Sequence, residues 1–248
     1  MNHKLKIAIR IVSAVVFLAC VAGLLWYYLD DRNDWDVMER ISALLGAHVE
    51  AANDTVLEQY QALVAENPET IGWLKIDGTS IDNVVMYAPE TPEKYLHANF
   101  YGEHSYRGTL YVAEACDVKT SDNVIIYGHH MKDGSMFGAL VDYQDADFWR
   151  EHRYIRFDTI YEAQRYEVVA AFYTRILGEN ESGFRYYDYT GADDAERFAE
   201  YAAFIEENQC YDTGVDIAPG DKLLTLSTCA YQTTDGRFVV VAKKVDLT

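Results

Sequence analysis

The sequence predicts a mainly β fold with helices added to it, an α+β chain, and three observations carry that reading. From residue 71 onward, short runs rich in β-branched and aromatic residues alternate with turn residues. Two stretches among those runs switch to helical spacing. A helical segment and an uncharged apolar run precede them all.

The apolar run comes first. Residues 11–29, IVSAVVFLACVAGLLWYYL, are 19 residues without a charge. At about 1.5 Å per helical residue this just crosses a hydrocarbon core of ~30 Å. Lys4, Lys6 and Arg10 precede the run, and Asp30, Asp31, Asp34 and Asp36 follow it. The bias of basic residues toward the cytoplasm then puts the N-terminus inside the cell and the bulk of the chain outside. Trp26, Tyr27 and Tyr28 stand where an interfacial aromatic belt belongs. A cleaved signal peptide is the competing reading; the length of the run and the lack of a small-residue cleavage site favour an anchor. Residues 1–30 are therefore expected to be a cytoplasmic start and a single-pass anchor in the cell membrane, with the rest of the chain extracellular.

Residues 34–66 carry apolar positions at helical spacing, Val37, Ile41, Leu44 and Leu45 and then Val56, Leu57, Tyr60 and Leu63, before Pro68 breaks the pattern. This predicts a helical lead-in over 31–67 ahead of a main domain over 68–248. The strand candidates follow: 71–78, 79–87, 107–115, 122–128, two long runs within 153–176 around a turn near Glu162–Gln164, 221–229 and 237–245. Seven or eight strands suit a closed barrel or a sandwich. The helical inserts are 135–152 and 193–209, the second with Phe198, Tyr201, Ala202 and Ile205 on one stripe and Asp193–Asp194 in its first turn.

Composition excludes some functions. The chain has 21 Lys and Arg against 40 Asp and Glu, and because the first ten residues hold three bases and no acid, residues 11–248 carry −22. Nucleic-acid binding rests on basic side chains that neutralise phosphates, so a nucleic-acid partner is not expected. Of four cysteines, Cys20 lies in the apolar run, and no CxxC or Cys/His spacing suggests a structural metal. The count leaves open whether Cys116 and Cys210 pair; Cys229 is the candidate free thiol.

The stretch TLSTCAYQTTDGRFVVVAKK, residues 225–244, joins two strand candidates by a loop holding Asp235–Gly236, a favoured turn pair. Antiparallel pairing sets Cys229 at the end of one strand beside Arg237 at the start of the next. Along the first strand, Leu224 and Leu226 face one way, and Thr225, Ser227 and Cys229 face the other, as in a groove floor above a core. A thiol attacks as its thiolate, and at an ordinary pKa of about 8.5 it needs a neighbouring base. His129 is the best candidate, emerging where the apolar strand DNVIIYG ends. His130 is adjacent, but neighbours in extended chain point to opposite sides, so one of the two is expected at the site; no third ligand at short spacing supports a metal. Arg237 and the backbone N–H of Ala230 are candidate stabilisers of a tetrahedral oxyanion. No metal or organic cofactor is indicated.

These residues resemble the signature of the sortases, membrane-anchored cysteine transpeptidases of Gram-positive bacteria. The resemblance lies in TLSTC with Arg237 eight residues on, in YGHHMKDGSMF, and in GWLKIDGTSIDNVVMY and YLHANFYGEHSYRGTLYV, and it covers about residues 68–248. The N-terminal helices and the helix before the nucleophile strand are similar to class B. The resemblance implies a closed eight-stranded barrel, with Cys229 as nucleophile, His129 as general acid/base and Arg237 as oxyanion or substrate stabiliser. It implies cleavage of a C-terminal sorting signal of the LPxTG or NPxTN kind after its threonine, a thioester, and transfer of the secreted surface protein to an amine of a peptidoglycan precursor. By position, Tyr127, Ser227 and Leu96 are expected to line the groove. One departure stands out: some class B members carry an acidic residue soon after the cysteine, whereas Ala230, Tyr231 and Gln232 follow here. Two other functions fit the same residues: an anchored cysteine peptidase with water as acceptor, and a non-catalytic anchored binding module.

Overall fold

The structure, a computed structural model, describes residues 3–47, 55–191, 195–230 and 235–247. Its centre is a closed barrel of eight strands: β1 (Thr70–Lys75), β2 (Asp82–Met86), β3 (Leu110–Val112), β4 (Asn123–Tyr127), β5 (Tyr154–Thr159), β6 (Arg165–Arg175), β7 (Leu223–Cys229) and β8 (Gly236–Val245). Around the barrel the order is β1-β2-β3-β4-β7-β8-β6-β5. Pairings are antiparallel except β2 with β3 and β4 with β7, which run parallel. Parallel neighbours need long crossovers, and the β4–β7 crossover carries both helical inserts and β5 and β6.

The strand runs read as continuously apolar because both faces are covered. Along β8, Phe238, Val240 and Ala242 point into the barrel, while Val239 and Val241 face a second cluster outside it. That outer cluster is capped by α4 (Ala195–Asn208), whose Tyr201 and Ile205 are buried and whose Phe198 packs beside them, as the stripe predicts. Each fully buried Leu, Val or Phe contributes about 1.5–3 kcal/mol. The expected Asp193–Asp194 pair lies outside the described residues.

Two helical expectations need correction. The insert at 135–152 is not one helix: a 3-10 turn spans Gly138–Gln144, and α3 (Ala146–Glu151) starts anew after Asp145, whose carboxylate accepts the Asp147 N–H at 2.8 Å as an N-cap. The lead-in at 34–66 is also divided. Helix α1 (His3–Leu44) runs unbroken through the apolar stretch and on to Leu44, where Gly46 turns the chain with a left-handed φ of 78°. Residues 48–54 lie outside the described residues, and the segment resumes as a 3-10 turn at Glu58–Tyr60 and α2 (Gln61–Glu66). Along α1, Phe17 and Leu18 are exposed, whereas Asp34, Val37 and Ile41 are buried against the barrel. The helix is long and apolar enough to cross a membrane.

Candidate active site

Strand register brings the candidate residues together. Strands β4 and β7 pair in parallel from Asn123 with Leu223 to Tyr127 with Ser227. Gly128 N–H donates to the Ser227 carbonyl at 3.3 Å, and Thr228 Oγ1 to the Gly128 carbonyl at 2.7 Å, so the pairing continues past the strand ends. One residue further on each chain stand His129 and Cys229, level with one another. Across the other edge of β7, Cys229 is directly opposite Arg237 on β8. Three residues distant in sequence thus occupy one end of three adjacent strands.

Gly128 makes this approach feasible: a Cβ there would lie 2.3 Å from Leu110 Cδ2 and 2.8 Å from the Phe137 ring. The β7–β8 connection closes with Asp235 in the left-handed region at φ 56°, the conformation an Asp–Gly turn supplies.

The His129 ring is half-buried, and its Nε2 lies 2.7 Å from the Leu96 carbonyl oxygen. A carbonyl only accepts, so Nε2 carries the proton and the neutral ring keeps its lone pair on Nδ1. Burial pushes the His129 pKa below the ordinary 6.5; the Leu96 hydrogen bond opposes this, and the nearby His97 adds to it. The imidazole is therefore uncharged at neutral pH. His130 is also at the site, contrary to the expectation from extended geometry. The chain leaves β4 and turns back through a His130–Met136 bridge, and His130 Nδ1 donates to the Cys229 carbonyl at 3.0 Å. Both imidazoles line one cavity of about 660 Å³. The adjacent histidines in sequence were the signal for this, but only the turn makes them converge.

Cys229 is half-buried at the end of β7. Cys116 and Cys210 are unpaired, which resolves the open pairing. Cys116 is enclosed, its Sγ accepting the Ile125 N–H at 3.4 Å, and burial pushes its thiol up to about 11, a packing cysteine rather than a reactive one. Arg237 Nη1 donates to the Gly236 carbonyl at 3.0 Å, and no carboxylate among the described residues pairs with the guanidinium.

Three expectations shift. The Ala230 N–H is already given to the Gly236 carbonyl at 2.9 Å, so it is not a free oxyanion donor. Ser227 does not line a groove: it is 1% exposed, and its hydroxyl meets Tyr186 OH at 2.8 Å. Thr225 is likewise covered, bonded to Asn123 and Tyr201, so of that face only Cys229 reaches the opening. Leu96 sits next to the site through its carbonyl on His129. Tyr127 is half-buried on β4, its ring 5.6 Å from Tyr111, and burial raises its phenol far above the usual range. Tyr111 and Tyr186 both stand near Arg237 and Cys229; neither was expected at the site from the sequence. No group of three His, Cys, Asp or Glu among the described residues could hold a metal ion.

A family model described as "Sortase domain" matches residues 74–245. Sortase B of Staphylococcus aureus is 28% identical over 95% of this chain and 94% of its own length. Among solved structures, sortase B of B. anthracis superposes with a TM-score of 0.75 at 31% identity, covering 89% of this chain and all of that one. A Staphylococcus aureus sortase B–substrate complex does so with the same TM-score at 27% identity and the same coverage. Fold and family together define a cysteine transpeptidase. The chain belongs to the sortase family, and its relatives over nearly the full length are of class B.

Proposed function

We propose that this transpeptidase acts through Cys229, His129 and Arg237. The observation that carries the assignment is the register: the parallel β4–β7 pairing runs to Tyr127 and Ser227, two residues short of His129 and Cys229, and the antiparallel β7–β8 pairing sets Cys229 opposite Arg237. His129 Nδ1 takes the proton from the Cys229 thiol as Sγ attacks the carbonyl carbon of the scissile peptide bond. The oxyanion that forms faces Arg237, whose fixed charge stabilises it. Collapse breaks the C–N bond, and His129 returns the proton to the leaving amine, giving a thioester on Cys229. A second amine attacks the thioester and passes its proton to His129. The C–S bond breaks, and the thiol is restored.

The peptide is a C-terminal sorting signal of the LPxTG or NPxTN kind on a secreted surface protein, cut after threonine. The acceptor is the amine of a peptidoglycan precursor. The exposed apolar surface of α1 supports a single-pass anchor, and the basic Lys4, Lys6 and Arg10 before it favour a barrel on the outer side, in the lead-in and domain order 1–30, 31–67 and 68–248. Tyr127 and Leu96 remain candidates for the peptide groove. The test is a panel of sorting-signal peptides read by mass spectrometry. We expect a thioester on Cys229, and with triglycine or a diamino acid added, a ligated product. Hydrolysis alone would assign a peptidase, and no adduct with any peptide would leave only the binding module.

The pH profile checks the role of His129. Burial holds its pKa down, so the working neutral form persists below pH 6.5 and is lost as pH falls through the depressed value. The acidic limb of kcat/KM is expected below 6.5, reporting the free enzyme. A limb at or above 6.5 contradicts His129 as the base.

A further inference from the structure

We infer that Arg107 is a positioning residue that ties the His129 loop, and the carbonyl that orients His129, to helix α1. This rests on His129 being the catalytic base.

Arg107 lies outside the strands, on the segment between Leu96 and β3. Its side chain is 9% exposed, and a cation this enclosed is tolerable only when fully partnered. Its partners come from two separate parts of the chain. From α1, Asp31 Oδ1 accepts from Nε at 2.9 Å and from Nη2, and the Trp35 ring lies 4.8 Å from the guanidinium carbon. From the loop that follows His129, Asp133 Oδ2 lies 2.7 Å from Nη2, and Ser135 Oγ accepts from Nη1. Asp133 in turn holds Ser135 through its N–H at 3.0 Å and its hydroxyl at 2.7 Å. The loop closes on the active site through the Phe137 N–H, which donates to the His129 carbonyl at 2.9 Å. Asp133 is kept charged by the arginine, its pKa drawn down to about 2 against the opposing effect of burial.

The same segment also holds the other end of the His129 hydrogen bond. Residues 105–109 fold back on residues 95–97: Ser105 N–H donates to the His97 carbonyl at 3.0 Å, and Thr109 N–H to the Tyr95 carbonyl at 2.9 Å. Gly108, next to Arg107, turns with φ 62°, and a Cβ there would sit 2.6 Å from the Leu96 oxygen. Arg107 thus joins the two chain segments that supply the Leu96 carbonyl and the His129 ring, and fastens both to Asp31. Asp30 and Asp34 of α1 grip the same segment at the Tyr106 N–H (3.1 Å) and the Ser105 hydroxyl (2.7 Å). Asp31 alone reaches the His129 loop through the guanidinium.

A fork is needed for this because Asp31 and Asp133 approach from different directions. A lysine keeps the charge but is a single point donor. The test uses the full chain in detergent micelles with Arg107→Lys and, separately, Asp31→Asn, which removes a charge from a half-exposed position and spares the fold. Nitrogen NMR of labelled histidine, with His129 assigned by His129→Gln, reports the tautomer. We expect a single Nε2–H form in the parent and a mixture with the Nδ1–H form in both variants. We also expect kcat lower by about tenfold or more with KM for the peptide unchanged, as loss of alignment predicts. An unchanged tautomer in both variants overturns the inference whatever the turnover. A mixed tautomer with parental turnover overturns it as well, and places the fault with the role given to His129.

Discussion

Cys229→Ala is expected to abolish thioester formation and lower peptide turnover by on the order of 10⁴ or more, the scale seen when a catalytic nucleophile is deleted. The fold should hold. Cys229 is a half-buried residue at a strand end, its backbone pairing with Arg237 does not involve the thiol, and its carbonyl still accepts from His130. Substitutions at such positions change stability by about 0.5 kcal/mol, a shift of roughly 2 °C or less in Tm for a chain of this size. Cys116→Ala is the informative control. That thiol is 1% exposed and accepts a backbone N–H, so its removal leaves a small void and an orphaned donor, at a cost of about 1–3 kcal/mol. Stability should fall there while the thioester still forms. The reverse pattern, an adduct surviving Cys229→Ala and vanishing with Cys116→Ala, would move the nucleophile to the interior of the barrel and break the assignment.

The sequence made much of the barrel legible because each strand run is bounded by turn residues. The β7–β8 pair could be registered from the Asp235–Gly236 turn and the lengths of the runs on either side. What it could not show was β4 beside β7, since that contact is parallel, spans about a hundred residues and leaves no local signal. His129 could be proposed as the base, but its level with Cys229 comes only from that pairing. Alternation along β7 correctly separated Leu224 and Leu226 from Thr225 and Ser227. It could not reveal that Tyr186 and Tyr201 roof the polar face, because the roof comes from a distant turn and from α4. The periodicity of the lead-in was real, but periodicity does not show where a helix stops. Nothing between Leu29 and Asp34 breaks α1, and Gly46 ends it.

Arg237→Lys should leave the barrel folded and lower kcat by about 10²–10³-fold, the usual cost of one oxyanion donor. The size follows from the surroundings. The Ala230 N–H, which a nucleophile's neighbour might otherwise supply, is committed to the Gly236 carbonyl. The burden of the developing charge then falls on the guanidinium, which has no carboxylate partner among the described residues and spends only Nη1 on Gly236. Lysine retains the charge but not the planar fork, so it cannot hold Gly236 and face the oxyanion in the same geometry. The backbone of residue 237 pairs with Cys229 and Thr174 whatever its side chain, so Tm should stay close to the parent. Steady-state kinetics with a cleaved sorting-signal peptide gives the number. Single-turnover mass spectrometry of the Cys229 adduct shows whether acylation is the slowed step. Turnover within twofold of the parent would remove Arg237 from the chemistry and require the Ala230–Gly236 bond to open during attack, so that the backbone could serve as the donor instead.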